Sequence, residues 1–136
     1  MRIILLILSF FGILFITSCS PQKNPAVYNQ RGIQVGEIQI ENEKEATIID
    51  IYNQVRGRIR GAVVRDESGG RVGEVTIEGN KAIITDTMAR QIGSYENGTC
   101  YGPNDAPLGR VSSINDSKAA SAGCLLLLIL KELPAV

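Results

Sequence analysis

The chain is predicted to be mainly β: five glycine-marked β-hairpins closed on one another in a barrel-like ring, with an apolar helix at the C-terminus. Three observations point there. Short windows of Gly, any residue, then an aliphatic residue recur through the middle of the chain, at Gly36, Gly57, Gly73, Gly93 and Gly109, with Tyr95 in the aliphatic place after Gly93. Each follows a stretch containing Asn, Asp, Gly or Pro, which tolerate or preset the dihedrals of a reversal. Leu125–Leu130 is an unbroken aliphatic run that some other surface must cover. At 136 residues, one domain is expected.

The N-terminus comes first. Arg2 precedes Ile3–Ile16, which is apolar except for Ser9 and Gly12. That is short of the ~20 apolar residues a spanning helix needs, and it suits the core of a signal peptide. The run ends in Ile16-Thr17-Ser18-Cys19. These four residues resemble the lipobox of bacterial lipoproteins: an aliphatic residue, two small ones, then Cys. The resemblance implies cleavage after residue 18 and a diacylglycerol on Cys19. Two or three acyl chains anchor stably, each buried methylene contributing about 0.8 kcal/mol. Ser20, which is not Asp, implies the outer membrane by the sorting convention of such proteins. Residues 19–26 carry two prolines and no apolar period, as an extended tether would. The folded domain is expected over residues 27–136.

The repeat follows. The five glycines are spaced by 21, 16, 20 and 16 residues, and alternate ones by 37 and 36. A period of that length holds one hairpin per unit. A lone hairpin is marginally stable, whereas five that share a core and meet end to end leave few exposed edges. The stretch Val64–Ile77, with its turn at Asp66–Gly70, is the clearest copy. Each glycine is expected to mark a bulge or a close approach of backbones. A lipobox followed by five such hairpins resembles the five-fold β-flower proteins, small bacterial proteins of that shape. The resemblance covers about residues 27–114; Arg56 departs from the aliphatic residue that the pattern places before the glycine. It implies a shape and assigns no functional residues.

The C-terminal element is expected as a helix over about residues 117–132. Asp116 or Ser117 suits its N-cap, Lys131 its last turn, and Pro134 its end. Burying each large aliphatic contributes ~1.5–3 kcal/mol, so the run must pack against or inside the hairpins. Ala119, Ala120, Ala122 and Gly123 would permit close approach. A central strand over Cys124–Leu130 is the other reading of so uniform a run.

Cys100 and Cys124 remain after Cys19. In an oxidising compartment they are candidates for a disulfide pinning the last hairpin to the C-terminal segment; two buried thiols are the alternative.

The chain has no histidine, so Ser-His and Cys-His pairs are absent, and no metal-ligand spacing stands out. No cofactor and no catalysis are expected. Residues 1–19 hold Arg2 and no acid, which leaves 13 basic against 14 acidic side chains and argues against nucleic acid as a partner. Glu41, Glu43 and Glu45 alternate, as do Arg56, Arg58 and Arg60. Such sets line one face of a strand. Three arginines can grip a phosphate or carboxylate, but cross-strand charge pairing is the plainer reading. Glu37, Arg58, Glu74, Ser94 and Arg110 follow the five glycines, and a ring of alternating charge is expected there. Asp86-Thr87-Met88 fits a short bacterial O-glycosylation pattern. The expected role is a lipid-anchored cell-envelope protein that acts structurally or by binding an envelope protein. The alternative is a carrier of a small apolar ligand in the centre of the β domain. The turns at Asp66–Gly70 and Pro103–Pro107 are the surface to probe.

Overall fold

The computed structural model describes residues 24–112 and 114–132. Cys19 and most of the expected tether lie outside them. Ten antiparallel strands form one closed barrel. They are β1 (Ala26–Asn29), β2 (Gln34–Ile40), β3 (Glu45–Asp50), β4 (Val55–Arg60), β5 (Val63–Asp66), β6 (Arg71–Glu78), β7 (Lys81–Thr85), β8 (Gln91–Glu96), β9 (Thr99–Tyr101) and β10 (Pro107–Val111). Every strand pairs with its sequence neighbours, and β1 closes the ring on β10 with Val27 opposite Val111. A C-terminal helix completes the fold: α1 (Ser117–Cys124), a π-helical turn (Leu125–Ile129), and a last turn, Leu130–Glu132.

The five units are β1–β2, β3–β4, β5–β6, β7–β8 and β9–β10. In each, the repeat glycine lies opposite a fully buried residue of its partner strand. The pairs are Gly36–Val27, Gly57–Ile48, Gly73–Val64, Gly93–Ile84 and Gly109–Cys100. A register shift sits beside each pair, so every unit carries the same irregularity. Arg56 does not disturb the second unit. Two residues beyond each glycine, Ile38, Ile59, Val75, Tyr95 and Val111 are buried as a second inward ring.

The helix runs through the middle. Asp116 caps it, its carboxylate accepting from the amides of Lys118 and Ala119, both at 3.1 Å. Residues 119–129 are all buried. A Cβ added at Gly123 would lie 2.9 Å from Ile38 Cδ1, so the small residues do admit the helix closely.

The π-helical turn matches the five-fold ring residue for residue. A Cβ added at Gly73 would strike Leu125, at Gly57 Leu126, at Gly36 Leu127, at Gly109 Leu128 and at Gly93 Ile129. Successive helix residues therefore seat on successive units around the circle. Five units stand about 72° apart in such a ring. An α-helix turns ~100° per residue and would fall out of step within two residues. Bonds from i to i+5 widen the turn and shorten the angular step. The amide of Leu130 donates to the carbonyl of Leu125 in that pattern.

Cys100 and Cys124 are bridged, with Cα atoms 5.6 Å apart and both residues fully buried. Cys100 holds the inward position that Val27, Ile48, Val64 and Ile84 hold in the other units. The bridge ties that ring to the helix one residue before the π-helical turn.

Candidate functional site

One end of the barrel is a crown of five equivalent turns. They start at Asn29, Asp50, Asp66, Asp86 and Gly102. In each, the first amide donates to the carbonyl four residues on at 2.9 Å, and the first carbonyl accepts from the amide three residues on at 2.9–3.1 Å. In the first four, Oδ1 of Asn29, Asp50, Asp66 or Asp86 also accepts from the amides two and four residues on, all at 2.9–3.0 Å. The fourth residue always has positive φ: Gly32, Asn53, Gly69, Ala89 and Asp105. The repeat glycine follows seven residues after each turn's first residue. That spacing is constant where the turn sequences are not. Of the two turns singled out from the sequence, Asp66–Gly70 is one of the four alike, and the fifth, at Gly102, does without a capping side chain.

Large apolar side chains stand exposed on this crown. Tyr52 is 76% exposed, Met88 72%, Ile33 and Ile51 56% each, and Val55, at the start of β4, 41%. Ile33, Ile51, Tyr52 and Val55 belong to the adjoining first and second turns and the strands leading from them. The end of the helix emerges within the same crown: Lys131 lines a hollow with Asn29, Arg31, Ile33 and Leu108. Beside it Arg110 stacks its guanidinium over Tyr28, 4.3 Å from the ring centroid. Thr87 is exposed in the fourth turn.

The chain enters at the opposite end. The carbonyl of Pro25 accepts from Ile38 at 2.8 Å, and the amide of Ala26 donates to Ser112 Oγ at 2.7 Å. Residues 24–25 therefore approach beside the tight turns and the start of α1, and β1 leads from there towards the crown.

The perturbed acids belong to the turns. The Ser68 hydroxyl and the Gly70 amide hold the Asp66 carboxyl below its ordinary value. The Arg90 amide, with the Met88 amide and the Arg90 guanidinium, does the same for Asp86. Burial raises the Tyr95 hydroxyl, against a hydrogen bond with Gly98. Each shift is explained by its own turn or by packing. Among the described residues no group of three or more Cys, Asp or Glu is placed to hold a metal ion.

The outer wall carries Arg58, Arg65, Arg71, Gln39 and Glu78 exposed, interspersed with the partly buried Ile49, Val63 and Ile83. Strands of three to eight residues and such a face differ from membrane-crossing strands, which run ~9–11 residues behind an apolar band. Among the described residues no helix is long and apolar enough to cross a membrane.

The charge ring expected at Glu37, Arg58, Glu74, Ser94 and Arg110 is not formed. An intervening strand separates each from the next. Arg58 lies opposite Thr47 and Arg65, and Arg110 opposite Tyr28 and Thr99. Pairing occurs elsewhere: Arg60 with Glu45 at 3.0 Å, Arg56 with Asp50 at 4.0 Å, and Arg71 with Glu74 at 2.7 Å. Glu41 instead accepts from the Thr47 hydroxyl at 3.2 Å, and Glu43 is exposed.

No protein-family model, no curated protein and no solved structure matches this chain.

Proposed function

We propose that this protein is a lipid-anchored component of the bacterial cell envelope, held in the outer membrane through Cys19, which presents the turn crown to a partner protein. The observation that carries the reading is polarity of layout. The chain arrives from its N-terminal side at one end of the barrel, where Ile40 and Ile77 are each 44% exposed, and the more exposed Ile33, Ile51, Tyr52 and Met88 stand at the other. A short tether would hold the first end against the membrane and turn the second outward. Tyr and Met are enriched at protein interfaces, and a contiguous exposed apolar patch marks an interaction surface. Five units around a filled centre also support kinship with the five-fold β-flower proteins.

The filled centre favours this reading over a carrier of a small apolar ligand. Leu125–Ile129 are each at most 7% exposed and occupy the space such a ligand would need. The absence of histidine from the chain favours binding over acid–base catalysis.

Cell fractionation with metabolic fatty-acid labelling tests the anchor. The native chain is expected in the membrane fraction carrying label, and Cys19→Ala without label and released. Retention of Cys19→Ala in membranes would contradict the proposal. For the crown, a photo-crosslinker at Tyr52 is expected to trap a discrete partner, while one at Thr76 on the wall traps none; equal yields at both would contradict it.

A further inference from the structure

The outer wall over β4, β5 and β6 holds an arrangement that folding alone does not favour. Arg58 is directly opposite Arg65, and Arg65 is directly opposite Arg71. All three are exposed. Like charges facing one another across strands destabilise a sheet. Arg71 is relieved by Glu74. Arg65 spends one nitrogen on the Gly69 carbonyl at 3.1 Å and meets no carboxylate within 4.0 Å among the described residues. Among the described residues Arg58 has no carboxylate within that distance either. A groove runs beside them, lined by Thr47, Arg58, Arg60 and Arg65 together with Glu41 and Glu45. Both acids are already engaged, Glu45 by Arg60 and Glu41 by Thr47.

We propose that this groove is a phosphate-binding site in which Arg58 and Arg65 grip one phosphate group between them. Neighbouring strands lie ~4.8 Å apart, so two outward guanidinium groups on β4 and β5 can converge on a single anion. Each offers a planar fork of donors that matches phosphate oxygens. An anion there cancels the repulsion between the facing Arg58 and Arg65 side chains. The ligand class is a phosphate monoester or diphosphate, from a lipid headgroup or a soluble compound. The site uses only wall residues, and so it stands or falls separately from the crown and the lipid anchor.

The test is thermal melting of the full chain in uncharged detergent micelles at low salt, where screening is weakest. One arm adds inorganic pyrophosphate; the other mixes a short-chain phosphatidic acid into the micelles. The melting temperature is expected to rise in at least one arm, and the responding arm assigns the source: pyrophosphate alone a soluble phosphate compound, phosphatidic acid a headgroup. Arg58→Gln and Arg65→Gln are expected to weaken binding about tenfold or more. Both should melt no lower than the native chain when no ligand is present, because the repulsion is relieved. Arg58→Lys, which keeps the charge and loses the fork, is expected to respond weakly, and Lys118→Gln to respond like the native chain. No rise with either probe, or an undiminished rise in Arg58→Gln and Arg65→Gln, would overturn the proposal.

Discussion

Ala89 holds φ of +62° in the fourth turn, where the first and third turns have Gly32 and Gly69. An L-residue with a Cβ pays for the left-handed region by about 1–2 kcal/mol. Ala89→Gly is therefore expected to stabilise by about 0.5–1 kcal/mol, once glycine's extra freedom in the unfolded chain is set against the relief. Differential scanning calorimetry should show a higher melting temperature; a lower one would refute this view of the turn. The converse holds at the ring. A Cβ at Gly73 would lie 2.7 Å from the Thr85 carbonyl oxygen and 2.9 Å from Leu125 Cδ2. Gly73→Ala is expected to cost about 1–3 kcal/mol by overpacking. Gly70→Ala meets nothing nearer than 3.5 Å and should stay within about 0.5 kcal/mol of the native chain. The turn acids set the acid limit. Asp66 and Asp86 have folded values below the ordinary carboxyl value. Their contribution is therefore complete above that value, ~3.9, and is lost as pH falls through the depressed ones. Melts from neutral pH down to about 2.5 should fall more steeply for the native chain than for a double Asp66→Asn, Asp86→Asn variant. Asn29 shows that an amide can make the same turn contacts.

At the scale of elements, the helix and the ring specify each other. The π-helical turn needs five neighbours to seat upon, and the ring needs five side chains to fill the gaps that its glycines leave. Leu127, 2% exposed, is expected to cost ~2–5 kcal/mol on change to Ala, which leaves a void over Gly36. The disulfide supports this register from above. Its separation of 24 residues implies about 3 kcal/mol of stabilisation in the chain-entropy model. Reduction should lower the melting temperature correspondingly without changing the strand signal in circular dichroism. Collapse of the β signal on reduction would mean instead that the barrel cannot close without the bridge.

Seen whole, the molecule is a ring of hairpins with a plug, and most of that plan was legible in the sequence. Five glycines stood out because each must lack a side chain where the helix presses, and the helix because its aliphatic run had no polar face. What was hidden had physical reasons. The turn's first residue lies seven before each glycine, but it is Asn, three Asp and then Gly102, so no single residue type marks it. The positive-φ position is Gly, Asn, Gly, Ala and Asp, five residues with little chemistry in common. The pitch of Leu125–Ile129 is invisible because a uniformly apolar run looks the same at any helical step. The charge ring failed because successive glycine strands are separated by a partner strand. The Arg58–Arg65–Arg71 row depends on the register shift between Val64 and Arg65, which spacing along the chain does not reveal. The seating of five consecutive helix residues on the five units of the ring is open to one direct measurement. In a nuclear Overhauser spectrum of selectively methyl-labelled protein, five contacts from glycine Hα to side-chain methyl groups are expected. They join Gly73 to Leu125, Gly57 to Leu126, Gly36 to Leu127, Gly109 to Leu128, and Gly93 to Ile129. A pattern in which one glycine contacts residues three or four apart, as a regular α-helix would give, contradicts it.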